Sequence, residues 1–266
     1  MELLHPIFKW LHIIAGIMWI GLLYFFNFIN GHVAATMDGD SKKKVIPELM
    51  PRALFWFRWG AAWTWLTGLI LLYVIFWHGS LSMGMSGEDG SMMADSNGVI
   101  NMWSHIMILF TFLAVFIYDF IYRTFSSLNT RILTIISFTI IGIIIYTMGH
   151  CADFGFRAYN IHIGAMFGTM MAFNVWFRIW PAQQKIIAVI KNGDAPDGNL
   201  VTLAGLRSKH NTYMSVPLIW TMINQHTVMF NNIFGLHSGV ELMIMIAIGW
   251  HIVFQLYKRS AKVKGF

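Results

Sequence analysis

Seven stretches of this chain, at about 6–29, 53–78, 99–122, 132–150, 156–180, 211–231 and 238–258, are apolar over lengths that can cross a bilayer. A spanning helix needs about 20 such residues. With no water in the hydrocarbon core to satisfy backbone N–H and C=O groups, each run must hydrogen-bond within itself, which makes it a helix. The expected fold is therefore all-α, a polytopic membrane helix bundle of about seven transmembrane helices. Residues 1–266 are expected to form a single domain, because nothing between the runs is long enough to bury a core of its own. Composition agrees: 57% of the residues are hydrophobic and 11% charged, against roughly a quarter charged in soluble domains. The first run lacks a basic n-region and a small-residue cleavage site, so it reads as a retained helix rather than a signal peptide.

Loop charge sets the expected orientation. Lys42, Lys43, Lys44 and Arg52, then Arg123 and Arg131, then Lys185, Lys191, Arg207 and Lys209, and finally Lys258, Arg259, Lys262 and Lys264 all fall on one side of a seven-helix arrangement. The opposite loops carry almost no Lys or Arg, Arg157 excepted. The positive-inside rule then puts the N-terminus outside and the C-terminus in the cytoplasm. It also accounts for the net charge of +6 without a nucleic-acid partner; the expected surroundings are membrane lipid. Residues 182–192 read as a short interfacial helix, with Ile186, Val189 and Ile190 on one face.

Ionisable groups inside a membrane point to function. The run 156–180 holds His162, with Gly164 and Gly168 four apart. That spacing is first of all one of close helix packing, and it would also admit a flat cofactor. Counted from the expected outer helix ends, His12, His105 and His162 lie about six residues in and His226 about five, at some 8 to 9 Å depth for 1.5 Å per residue. His150 stands at an outer end and His251 lies deeper. Neutral imidazole is the usual axial ligand of b-type haem, and helix bundles present such ligands from facing helices. The candidate cofactor and metal ligands are thus His12, His105, His162 and His226, with His150 and His251 as alternates; the metal is haem iron or another ion. Gly16, one turn after His12, would leave room beside that ring. No C-x-x-C-H sequence is present and Cys151 is the single cysteine, so the haem b expected here is non-covalent and no internal disulfide can form.

Other polar groups have simpler readings. Arg58 and Asp119 are expected to form a buried pair, and Glu241 either relays protons or sits at the wet interface. The sixth run carries Thr212, Ser215, Thr221, Asn224, Gln225 and His226, which must face the bundle interior or a cavity. Met83, Met85, Met92 and Met93 near His78 have ligand chemistry suited to Cu(I), although their spacing matches no fixed copper pattern; a mobile loop in a methionine-rich chain is the simpler reading.

The segments Trp-Leu-His-Ile-Ile-Ala-Gly-Ile-Met-Trp-Ile-Gly (10–21), His-Ile-Gly-Ala-Met-Phe-Gly-Thr (162–169), Asn-Val-Trp-Phe-Arg-Ile-Trp-Pro-Ala-Gln-Gln-Lys (174–185), Arg-Ser-Lys-His-Asn-Thr-Tyr (207–213) and Asn-Gln-His (224–226) resemble the membrane domain of bacterial cytochrome-linked urate hydroxylases. The first block alone also resembles membrane protoporphyrinogen oxidase and copper-resistance membrane proteins. The longer resemblance implies a multi-pass protein of the bacterial inner membrane. It implies a urate oxidase-like oxidoreductase, converting urate to 5-hydroxyisourate with electron transport to cytochrome c. Its catalytic residues are left open. Those hydroxylases continue into a cytochrome c domain; this sequence shows no haem c motif, so the expected acceptor is a separate cytochrome c. The alternative is a non-catalytic haem-binding or anchoring subunit among the subunits of a larger respiratory complex; a metal or solute transporter is a third reading.

Overall fold

The computed structural model describes residues 3–77, 102–224 and 236–263, and among them every regular element is helical. Helix α1 (Leu4–Tyr24) passes through a π-helical stretch, Phe25–Asn30, into α2 (Gly31–Thr36). Helix α3 (Gly39–Leu72) continues as a π-helical stretch over Tyr73–Trp77. Helices α4 (Met102–Thr124) and α5 (Thr130–His150) follow. Helix α6 (Phe156–Asn174) runs through a third π-helical stretch, Val175–Ile179, into α7 (Trp180–Asn192), and α8 (Gly198–Ile223) and α9 (Ser238–Ser260) complete the chain.

Local chemistry explains the ends. Asn129 accepts the Arg131 backbone N–H at 2.8 Å and so caps α5. Pro181 stands where the π-helical stretch passes into α7, and Gly193, at φ 90°, closes that helix in the left-handed conformation. The connection expected over 30–52 is instead largely helical. Asp38 starts α3, its carboxylate accepting the backbone N–H of Ser41 at 2.9 Å and the Ser41 hydroxyl at 2.7 Å, and the helix then accommodates Pro47 and Pro51.

Among the described residues, five helical stretches are long and apolar enough to cross a membrane: Leu4–Thr36, Gly39–Trp77, Met102–Thr124, Thr130–His150 and Ser238–Ser260. The chain is a multi-pass membrane protein. The fifth expected run is helical but less apolar, and the sixth extends beyond the described residues. Burial explains why the fifth can afford Asn160 and His162: from Ala158 to Gly164 every α6 residue is buried, so their side chains meet protein rather than lipid. Exposed Trp10, Ile13, Ile14 and Ile17 on α1 instead give an apolar outer face suited to acyl chains.

The chain divides into two compact units. One is built from residues 69–170 and 217–249, the other from 2–68, 171–216 and 250–266. The first has a core of Phe76, Met107, Ile144, Met148, Ile163, Met166, Phe167, Leu242 and Ile246. The second buries Trp19, Leu23, Leu54, Phe57, Ala61, Val175 and Val253. In this second unit α7 packs Ala182 and Ile186 against Ala204 of α8, with Ile190 and Leu200 alongside. The helix expected to lie at the interface therefore has its apolar face covered by protein.

Candidate functional site

In the first unit, α6 carries two fully buried polar groups, Asn160 and His162. His162 is 0% exposed. Its Nδ1 lies 2.7 Å from the Ala158 carbonyl, which can only accept, so Nδ1 carries the proton. Its Nε2 accepts the indole N–H of Trp77 at 3.1 Å. The rings of Phe154, Phe76 and Trp77 stand with centroids 5.0, 6.3 and 6.3 Å from the imidazole. Both nitrogens are satisfied within an aromatic cage, which the π-helical Tyr73–Trp77 stretch helps to build.

Gly164 and Gly168 serve helix packing. A Cβ at Gly164 would overlap Thr221 Oγ1, and one at Gly168 would stand 3.5 Å from Leu218. Helix α8 thus lies against both glycines. One turn before Gly164, Asn160 is 0% exposed and its Nδ2 donates to the Thr221 carbonyl at 3.2 Å. Its Oδ1 is buried without a partner, as are Nδ2 and Oδ1 of Asn224.

The second unit holds His12. Its Nδ1 lies 2.9 Å from the Thr64 carbonyl and 3.1 Å from Thr67 Oγ1. The carbonyl fixes the proton on Nδ1, leaving the Nε2 lone pair for another partner. The imidazole lies against the backbone of Gly68, where a Cβ would stand 3.0 Å from Cε1. At Gly16 an added Cβ would make an ordinary contact with Thr64, at 3.8 Å.

The remaining candidates are scattered. His105 is exposed on α4, while the adjacent Ser104 is 0% exposed and donates to the Ala152 carbonyl at 2.7 Å. His150, also exposed, stacks on Tyr146 and His237 at centroid distances of 4.2 and 5.2 Å. His251 is exposed and 3.1 Å from the amide nitrogen of Gln255. His226, His78 and the Met83–Met93 loop lie outside the described residues. Among the described residues no cluster of three His, Cys, Asp or Glu side chains could hold a metal ion.

The two charges expected to pair have these neighbours within their own units. The Arg58 guanidinium sits 4.0 Å above the Trp180 ring and 5.3 Å from that of Trp176, a cation–π arrangement. Asp119 is 3.8 Å from Arg123, one turn on. Glu241 is 4% exposed, which removes the reading of it as a wet interface group.

Sequence reasoning missed Asn160, Thr64 and Thr67. Asn160 was legible as a polar residue one helical turn from Gly164. Thr64 and Thr67 had no such signal, since threonine in an apolar helix usually bonds its own backbone, as Thr67 does to Trp63 at 2.6 Å.

The fold and its interior define a class: a multi-pass α-helical membrane protein whose buried faces carry imidazoles and carboxamides. Within that class the chain belongs to the urate oxidase N-terminal family, whose model matches residues 1–264. No curated protein and no solved structure matches it.

The donor chemistry can be tested for haem at the half-buried His12 and the buried His162. His12 fits: a ligating histidine characteristically donates its other N–H to a carbonyl, and this one does so. His162 has the same tautomer, but iron at its Nε2 would have to displace the Trp77 indole.

Proposed function

We propose that this protein is a haem-b-containing membrane oxidoreductase of the urate hydroxylase type, acting in a bacterial inner membrane. Urate takes up the oxygen of one water at C5 to give 5-hydroxyisourate, releasing two protons and two electrons. The electrons pass singly to a separate cytochrome c. The observation that carries the reading is the family match along residues 1–264.

His12 is the residue best prepared to hold the haem. Thr64 and Thr67 orient the ring and hold the proton on Nδ1, so that Nε2 is presented as a ligand. Bound there, haem would supply one-electron steps between a two-electron donor and a one-electron acceptor. The protein contributes the apolar surround, which excludes water and tunes the iron's potential.

The test uses the full chain purified from membranes with ample haem supply. Expected are a reducible Soret band and α band, protohaem released by acid extraction, and urate-dependent reduction of added cytochrome c. A colourless, iron-free preparation would remove the haem. A haem-loaded preparation that never reduces cytochrome c with urate would remove the substrate.

A further inference from the structure

We infer that Asn160 and Asn224 form a recognition pair for a planar ligand with an amide or ureide edge, a ring N–H adjacent to a carbonyl. The inference rests on the urate reading for the ligand's identity, but the pair itself rests on three orphaned atoms. Asn160 Oδ1, Asn224 Oδ1 and Asn224 Nδ2 are buried and lack hydrogen-bond partners. The residues are 0% and 3% exposed. Buried carboxamides are costly to leave unsatisfied, and native proteins rarely do so without a ligand, an ion or a water to complete them.

Asn160 of α6 reaches the backbone of α8 at Thr221, three residues before Asn224. Asn160 donates to the Thr221 carbonyl. A carbonyl in a helix points toward the residues three and four positions on, so the amide bonded to it lies at the level of Asn224, which follows the last residue of α8. Gly164 makes this approach possible, since any larger residue there would collide with Thr221. The bond to a carbonyl also fixes which way Asn160 faces: Nδ2 must donate, and Oδ1 is left as the acceptor. The site therefore offers two acceptors and the donors of Asn224. That is the complement of an edge where N–H and C=O stand side by side, and each ring of an oxidised purine has such an edge.

The experiment is equilibrium binding to the full chain in lipid nanodiscs. The probes are urate, uracil as a smaller ring with the same edge, and tetramethylurate, in which every ring N–H is blocked. Urate and uracil are expected to bind the wild type, and tetramethylurate is not. Asn160→Leu and Asn224→Leu should each weaken binding about tenfold or more, as loss of a buried hydrogen-bonding partner does. Asn224→Leu breaks no hydrogen bond in the free protein, so its thermal midpoint should equal or exceed that of the wild type. It decides alone should Asn160→Leu fail to insert.

Urate binding that survives both substitutions would overturn the pair and leave the urate reading standing. Uracil binding with urate excluded, and lost in both variants, would keep the pair and remove urate. Failure of all three probes to bind the wild type, binding of tetramethylurate as tight as urate, or a lowered midpoint in Asn224→Leu would each overturn the pair.

Discussion

The indole N–H of Trp77 donates to Nε2 of His162 at 3.1 Å, the atom that a metal at this imidazole would need. His12 has the same Nδ1–H tautomer, and among the described residues of its unit no such competitor stands at Nε2. The two histidines thus differ in readiness, and substitution should separate them. His12→Ala is expected to abolish or shift the haem bands while the protein still inserts. His162→Ala is expected to keep the bands and lower stability by about 1–3 kcal/mol, the cost of unpairing buried partners and opening a cavity. Optical spectra and thermal midpoints of the two variants check this. Loss of haem in His162→Ala alone would mean that Trp77 gives way to iron.

Two glycines around His12 make a finer test. At Gly68 a methyl group would stand 3.0 Å from His12 Cε1, whereas at Gly16 it would meet only Thr64, at 3.8 Å. Gly68→Ala should therefore push the ring off its carbonyl and move the haem bands or the reduction potential. Gly16→Ala should do neither. Equal behaviour in a potentiometric titration would show that the backbone approach at Gly68 does not set the ligand's orientation.

The elements were more legible than their facing. Bilayer length and hydropathy locate the apolar helices because a spanning backbone has no alternative to internal hydrogen bonds. The same reasoning says nothing about α3 before residue 53, where Lys42 to Lys44, Pro47 and Pro51 read as a loop and the Asp38 cap makes a helix. The expected depth of each histidine was likewise countable along the axis. Direction was not. His105 shares the expected depth of His162 but points outward from α4, whose buried stripe is Ser104, Met107, Thr111 and Ala114. That stripe of small and apolar residues at helical spacing was the available signal. His162 was recognisable as buried from its place in α6, but its Trp77 partner, 85 residues away in sequence, was not.

Gly164 and Gly168 should respond unequally to one added methyl. The first would overlap Thr221 Oγ1, while the second would make an ordinary contact with Leu218 at 3.5 Å. Gly164→Ala is expected to cost about 1–3 kcal/mol, the usual penalty for overpacking. Gly168→Ala should be close to neutral. Thermal unfolding in the same lipid or detergent measures both; a neutral Gly164→Ala would mean that α8 moves away at little cost.

Asp38 gives a pH dependence at the start of α3. Hydrogen bonds from the Ser41 hydroxyl and backbone N–H hold its carboxyl below the ordinary carboxylate range. A group whose folded value is depressed contributes stability above its unfolded value, about 3.9, and loses it as pH falls through the folded one. Amide exchange at Ser41 and Lys42 should therefore be slower in wild type than in Asp38→Ala at neutral pH. The difference should vanish in acid.

Orientation can be settled with two cysteines at described, exposed positions, in a Cys151→Ser background that removes the single native thiol. Leu236 is 44% exposed and precedes α9, in a connection free of Lys and Arg. Ser127 is exposed between α4 and α5, in a connection flanked by Arg123 and Arg131. Basic connections remain in the cytoplasm because translocating Lys and Arg is disfavoured. Leu236→Cys should therefore react with an impermeant maleimide added to intact cells, and Ser127→Cys should react only after the membrane is opened. The reverse pattern would place the basic connections outside and move His12, His105 and His162 from the outer half of the bilayer to the inner. Labelling of both positions in intact cells would mean that an odd number of crossings does not separate them, and the span assignment between residues 127 and 236 would have to be redrawn.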